Sequence, residues 1–220
     1  MKPLHNIACI TLTFMLAAAA AAQDGYPTKP VRFVAPYPPG GASDVMARVL
    51  AQKLTDALGR QVIVENRPGA AGNIGHELVA KSPADGYTLL LTTKSQMVNN
   101  QYLYKKLAFD PLNDFTHITM IAYSGHVLVV HPAVPVRTVK ELIALARKQP
   151  GKLSYGSAGL GSTVNIVAEV FKSIEKLDIV HVPYKGAVLA VADVAGGQIE
   201  MVFSDMVPAV PQIRGNRLRA

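Results

Sequence analysis

Three short stretches of the 220-residue chain place glycine directly before an expected helix: YPPGGASD (37–44), YGSAGLGST (155–163) and VPYKGA (182–187). The unpaired N–H groups of a helix start, together with the positive end of its dipole, favour an anion. Glycine admits the dihedrals that let several N–H groups converge on one point. Each stretch also carries Ser, Thr, Tyr or Lys donors. Any one of them alone reads as a tight turn, whereas three of the same character point to anion binding by backbone amides.

Other chemistries find less support. YGSAGLGS is not G-x-S-x-G, no G-x-x-x-x-G-K-[ST] is present, and GAAGNIG has the wrong spacing for a dinucleotide loop. Six histidines are present, His5 within the first 22 residues, and the others lack metal-ligand spacing. Surface or hydrogen-bonded structural histidines are the better reading. Acidic residues are scattered, so no acid and base pair emerges from spacing. No metal, no cofactor and no catalytic residue is expected. The alternative is a secreted hydrolase or transferase with Ser162 or Ser157 as nucleophile, although the sequence shows no base beside either serine.

The elements that must carry these loops alternate. VRFVAPY reads as a strand, Asp44 to Leu58 as a helix with Met46, Leu50, Leu54 and Leu58 on one side, QVIVEN as a strand, AAGNIGHELVAKS as a helix and YTLLLTT as a strand. From Ser95 to Asp114 the pattern loosens. FTHITMIAY and HVLVVHP then read as extended segments around Ser124-Gly125, where the chain is expected to pass between two lobes. The alternation restarts with a capping box at Thr138 and Glu141, a strand KLSYGS, and a helix from Ser162 to Ile174 with Val164, Val167, Phe171 and Ile174 on one face. DIVHVPY, AVLAVADVA, QIEMVFSD, a short helix near VPAVPQI and a strand-like RLRA complete it. Strands alternating with helices imply βαβ units and mainly parallel sheets, an α/β fold. The expected divisions are 1–22, 23–122 for a first α/β lobe and 123–220 for a second.

Composition agrees with a folded, exported protein. Half of the residues are apolar and 17 % are charged. Lys2, the apolar NIACITLTFML and the alanines ending at Ala22 read as a cleaved signal peptide. The single cysteine, Cys9, lies within that segment, which excludes a disulfide scaffold and a cysteine nucleophile. Without Lys2 the balance is 21 basic to 15 acidic side chains, a net of +6, with the basic residues scattered singly. That distribution suits a small anion or an anionic membrane surface better than nucleic acid.

Seven motifs in order, YPTKPVRFVAPYPPGGASD, VIVENRPGAAGNIG, KSPADGYTLL, FDPLNDFTHI, YGSAGLGST, VHVPYKGA and GGQIEMVFS, resemble the Bug-type periplasmic solute-binding receptors of tripartite tricarboxylate transporters. The resemblance spans Tyr26 to Ala220. It implies a type II periplasmic-binding-protein fold, two lobes closing on a small carboxylate, and a periplasmic monomer that passes its ligand to membrane permease subunits. It also implies that the portion completing the first lobe is not among these residues, so that lobe is expected to be incomplete. The implied ligand contacts are Tyr37, Gly40, Gly41, Ser43 and Asp44 in the first loop, and Ser157, Ala158, Gly159, Gly161, Ser162 and Thr163 in the second. Thr92, Thr93, Tyr184, Lys185, Gly186, Ser204 and Asp205 line the variable part. Asp44 is expected to turn its carboxylate back onto its own loop, and Asn165 stands where many relatives carry histidine.

Overall fold

Val31, Phe33, Val34 and Ala35 are buried in the strand Val31–Ala35, with Arg32 half-buried and paired with Glu65, so both faces are covered as the centre of a parallel sheet requires. The computed structural model describes residues 25–220, and the signal-peptide reading for 1–22 lies outside the described residues. This first strand, β1, pairs in parallel with β2 (Val62–Asn66) and β3 (Thr88–Leu90), giving the order β2-β1-β3. Helix α1 (Ala42–Leu58) lays Met46, Leu50, Leu54 and Leu58 against Val31, Phe33 and Val62. It ends where Gly59, at φ 64°, donates its N–H to the Thr55 carbonyl at 3.0 Å.

The second sheet has the order β4-β7-β5-β6: β4 (His126–Val130), β5 (Ser154–Ser157), β6 (Val180–Pro183) and β7 (Met201–Asp205). β5 runs parallel to β6 and β7, and β4 is antiparallel to β7. Period-two alternation divides its apolar residues between two layers. Val130, Tyr155, Ile179 and Met201 pack with Leu142 and Ala146 of α4 (Val139–Lys148) and Ala168 of α5 (Thr163–Glu175). Val129 and Val202 pack with Ala190, Val191 and Val194 of α6 (Ala187–Ala195) and Ala209 of α7 (Met206–Arg214). Thr138 caps α4 by accepting the Glu141 N–H at 3.2 Å, while the Glu141 carboxylate takes the Arg137 N–H at 2.5 Å.

Several segments differ from the sequence reading. The expected helix from Ala70 is split: Ala70–Gly72 form a short 3-10 turn with Ala70 and Ala71 at positive φ, and α2 covers only Asn73–Ala80. The loosened stretch contains a π-helical turn (Ser95–Asn99) and α3 (Asn100–Leu103). FTHITMIAY joins no strand among the described residues; Ile118, Met120 and Tyr123 are exposed, so burial does not hold it in a ladder. Ile174 is exposed as well, because the inward face of α5 runs through Val164, Asn165 and Ala168. RLRA contributes one antiparallel bridge, Arg219 to Val130, and the Arg219 guanidinium donates to the carbonyls of Pro132, Val134 and Val136.

Two substitutions separate packing from capping. Leu142→Ala removes a side chain with 1 % exposure and should lower unfolding free energy by about 2–5 kcal/mol. Thr138→Ala should cost about 1 kcal/mol. Both are read from urea midpoints by circular dichroism, the chain having no tryptophan.

Candidate functional site

The carboxyl ends of β1, β5 and β6 lead into the glycine loops, and the loops of the two sheets touch. Gly186 is seated so closely on Pro38 that a Cβ there would lie 2.4 Å from Pro38 Cδ. One on Gly159 would lie 3.5 Å from the Ala71 amide nitrogen, and one on Gly40 would lie 3.9 Å from Val188 Cγ2. Ser95 Oγ and Thr163 Oγ1 are 2.8 Å apart, and the Tyr104 hydroxyl donates to the Leu160 carbonyl at 2.9 Å.

Within the first loop, Gly40 has φ 83° and its N–H donates to Asp44 Oδ2 at 3.0 Å. Asp44 Oδ1 accepts from Asn66 Nδ2 at 2.9 Å, and Arg48 reaches both carboxylate oxygens at 3.0 and 3.1 Å. Asn66 Nδ2 also donates to the Tyr37 carbonyl at 3.0 Å. Burial pushes the Asp44 carboxyl up, but hydrogen bonds from Arg48, the Gly40 N–H and Asn66 outweigh it and hold it below the usual carboxylate range. Gly41 is the N-cap of α1 and no side chain caps it, so neither Ser43 nor Asp44 serves there. The Gly40 N–H is taken by Asp44, while the first-turn amides of α1 have no partner within the helix.

The second loop repeats this device. Gly161, at φ 84°, donates its N–H to Asn165 Oδ1 at 2.9 Å, four residues on, as Gly40 does to Asp44. Asn165 Nδ2 donates to the Tyr155 hydroxyl at 2.7 Å, which donates to Glu169 Oε1 at 2.5 Å. Burial and then Glu169 raise the Tyr155 pKa. Ser162 is the N-cap of α5 and its Oγ accepts the Asn165 N–H at 3.3 Å. Ser157 Oγ accepts the Gly159 N–H at 3.1 Å and lies 2.6 Å from His181 Nε2. A base does therefore stand beside Ser157, contrary to the sequence reading. The serine is fully buried behind its own loop and its oxygen is engaged by Gly159, an arrangement that fixes the loop.

The remaining expected residues divide. Thr93 Oγ1 donates to Gln96 Oε1 at 2.7 Å, and Gln96 Nε2 donates to the Tyr37 hydroxyl at 2.7 Å and to the Ala71 carbonyl. Burial raises the Tyr37 pKa, and the charge of Asp205 on the opposite sheet adds to it. Thr92 Oγ1 lies 2.6 Å from His76 Nε2, while His76 Nδ1 lies 2.9 Å from the Gly72 carbonyl. Ala158 is buried, whereas Ser43 is only half-buried. Tyr184 departs from expectation: its hydroxyl donates to Asp193 on α6 at 2.6 Å, and burial followed by Asp193 pushes its pKa up to about 12. Its carbonyl, not its hydroxyl, borders Gly159.

Sequence reasoning missed Asn66, Ser95, Gln96 and Asn100, all polar and the last three fully buried. The spacing G-x-x-x-[DN], shared by Gly40 with Asp44 and Gly161 with Asn165, was the signal available for the loop-holding pair. Two surface cavities of about 290 and 300 Å³ lie elsewhere, one beside Tyr104 and Phe109, the other beside His131 and Glu200. No group of three or more His, Cys, Asp and Glu among the described residues is placed to hold a metal ion. No helix among them is long and apolar enough to cross a membrane.

Two α/β lobes whose glycine loops meet at strand carboxyl ends define a fold of the periplasmic-binding-protein class. The chain belongs to the tripartite tricarboxylate transporter receptor family (TctC), whose family model matches residues 46–220. That is a family of receptors, not of enzymes. It is 38 % identical to Protein BugT of Bordetella pertussis over 204 residues, 92 % of this chain and 63 % of that one. It is 36 % identical to a UPF0065 protein of Pseudomonas sp. strain P51 from the tcbD-tcbE intergenic region, covering 90 % of this chain and 58 % of that one. The chain thus spans about six-tenths of the length of these relatives. Among solved structures, R. palustris Rpa4515 with adipate superposes with a TM-score of 0.86 at 35 % identity, over 89 % of this chain and 65 % of that one. MatC from Rhodopseudomonas palustris with bound malate gives 0.84 at 27 %, over 89 % and 66 %.

Asp44→Ala should destabilise the fold by about 2–3 kcal/mol because it strands the Gly40 N–H and one N–H of the Asn66 amide, and Asp44→Asn by less. Urea denaturation measures both. His76 supplies a pH test. Burial lowers its pKa from 6.5 to about 4, with the Gly72 carbonyl acting weakly the other way. Above pH 6.5 neither state carries the proton. As pH falls from there toward 4 the unfolded chain binds a proton that the folded one refuses, so stability drops, by about 3 kcal/mol in full. His76→Gln should flatten that part of the curve, measured between about pH 7.5 and about pH 4.5.

Proposed function

We propose that this protein is a periplasmic receptor that captures a small carboxylate between its two lobes and delivers it to the permease of a tripartite transporter. The observation that carries this reading is the meeting of glycine loops, each at a helix start, from opposite sheets. α1 and α6 begin at Gly41 and Gly186 with no side-chain cap, and α5 begins at Ser162. The first two amides of each have no intrahelical partner, and the dipoles of the longer helices add positive potential at the same end. Asp44 and Asn165 hold the loop glycines, which leaves Ala42, Ser43, Thr163 and Val164 to offer N–H groups to an anion. Tyr37, Gly41, Ser43, Ser162, Thr163 and Gly186 are assigned to the ligand; Gly40, Asp44, Ser157, Gly159 and Gly161 shape the loops around it.

A carboxylate bridging both lobes favours the closed arrangement and stabilises the folded state by mass action. The adipate and malate held by the solved relatives support that ligand class, and the N-terminal sequence pattern supports export. A thermal-shift panel of mono-, di- and tricarboxylates should yield at least one ligand that raises the melting temperature in a saturable way. No shift with any of them would refute the reading. Gly186→Ala forces a methyl into Pro38 and should weaken binding at least tenfold, whereas Gly125→Ala, with nothing within 4 Å, should leave it unchanged.

A further inference from the structure

The β7–α7 junction carries an acid in an unusual posture. Asp205 is the N-cap of α7, and aspartate is among the best N-cap residues, yet its side chain makes no cap hydrogen bond. One reason is local: Pro208 at the third helical position has no N–H to offer. The carboxylate turns instead toward the neighbouring strand β4. Its Oδ1 lies 3.4 Å from Nε2 of His126, the residue opposite it in the β4–β7 ladder. It acts across the lobes on the Tyr37 hydroxyl, and its side chain keeps 27 % of its surface exposed.

Among the described residues Asp44 is the only charged one that is buried, and Arg48 and its own loop satisfy it. Lys94 and Lys185, the cations adjoining the cleft loops in sequence, are exposed. A ligand held by backbone amides at one end therefore meets, on the β7 side, a partly buried carboxylate with acceptor capacity to spare. A second carboxylate brought there would be repelled, while an ammonium or hydroxyl would be accepted.

Resting on the receptor reading above, we infer that Asp205 selects carboxylates bearing a hydrogen-bond donor at the far end, amino or hydroxy acids, over diacids of the same length. Matched series test this by isothermal titration calorimetry: hexanoate, 6-hydroxyhexanoate, 6-aminohexanoate and adipate, with their four- and five-carbon counterparts. The donor-bearing acids should bind at least tenfold more tightly than the diacid of equal length in at least one series. Asp205→Asn should cut the ammonium preference at least tenfold, leave the hydroxy acid within threefold and tighten the diacid. Asp205→Ala should also abolish the hydroxy preference. Diacids binding as well as the amino and hydroxy acids in the unaltered protein would overturn the inference, as would an unchanged ratio in Asp205→Asn. Binding by none of the acids, with the melt unshifted across the wider carboxylate panel, would overturn the receptor reading itself and this inference with it.

Discussion

The carboxylate of Asp44 holds the first loop in place, and much of the cleft geometry depends on it. With Gly40 at positive φ and two prolines before it, the loop has little hydrogen bonding of its own. Asp44 supplies what is missing by taking the Gly40 N–H, the Asn66 amide and the Arg48 guanidinium together. A buried acid near an anion site would ordinarily repel the ligand. Here its charge is offset by Arg48 and directed into the loop, so the helix amides beyond it face outward with their own polarity intact.

The second lobe reaches the same backbone arrangement with a neutral residue. Asn165 takes the Gly161 N–H at the position where Asp44 takes that of Gly40, and the two glycines differ by one degree in φ. An amide can also donate, and Asn165 uses that capacity to join Tyr155 and Glu169. Asparagine in place of the histidine expected from relatives is thus accommodated by a side chain that accepts from the loop and donates to the core. Both loops are held by hydrogen bonds within the protein, the first with the Arg48 guanidinium behind it, which limits the reorganisation that binding requires.

The order of strands and helices was legible because apolar period and Gly or Pro punctuation coincide at most boundaries, as from Val31 to Gly59. The family and the glycine loops were legible from motif order. What escaped was polar and buried. Gln96, Ser95 and Asn100 sit in a π-helical turn and a single helical turn, where no period distinguishes an inward polar side chain from a solvated one. Ala70 and Ala71 adopt positive φ without the glycine that would have announced it, so the helix there appeared longer than it is. The Ser157–His181 pair joins two adjacent strands and is set by register alone, which spacing along the chain does not reveal.

In the proposed site the anion is gripped by main chain, and the side chains that hold the loops lie behind it. Such a division separates what must be kept from what can drift. Residues such as Thr92, Thr93 and Asp205 can be exchanged one at a time without dismantling the amide cradle, because the hydrogen bonds that fix Gly40 and Gly161 run through Asp44 and Asn165. A lineage built on this plan could acquire new solutes by single substitutions, each intermediate remaining a competent carboxylate binder.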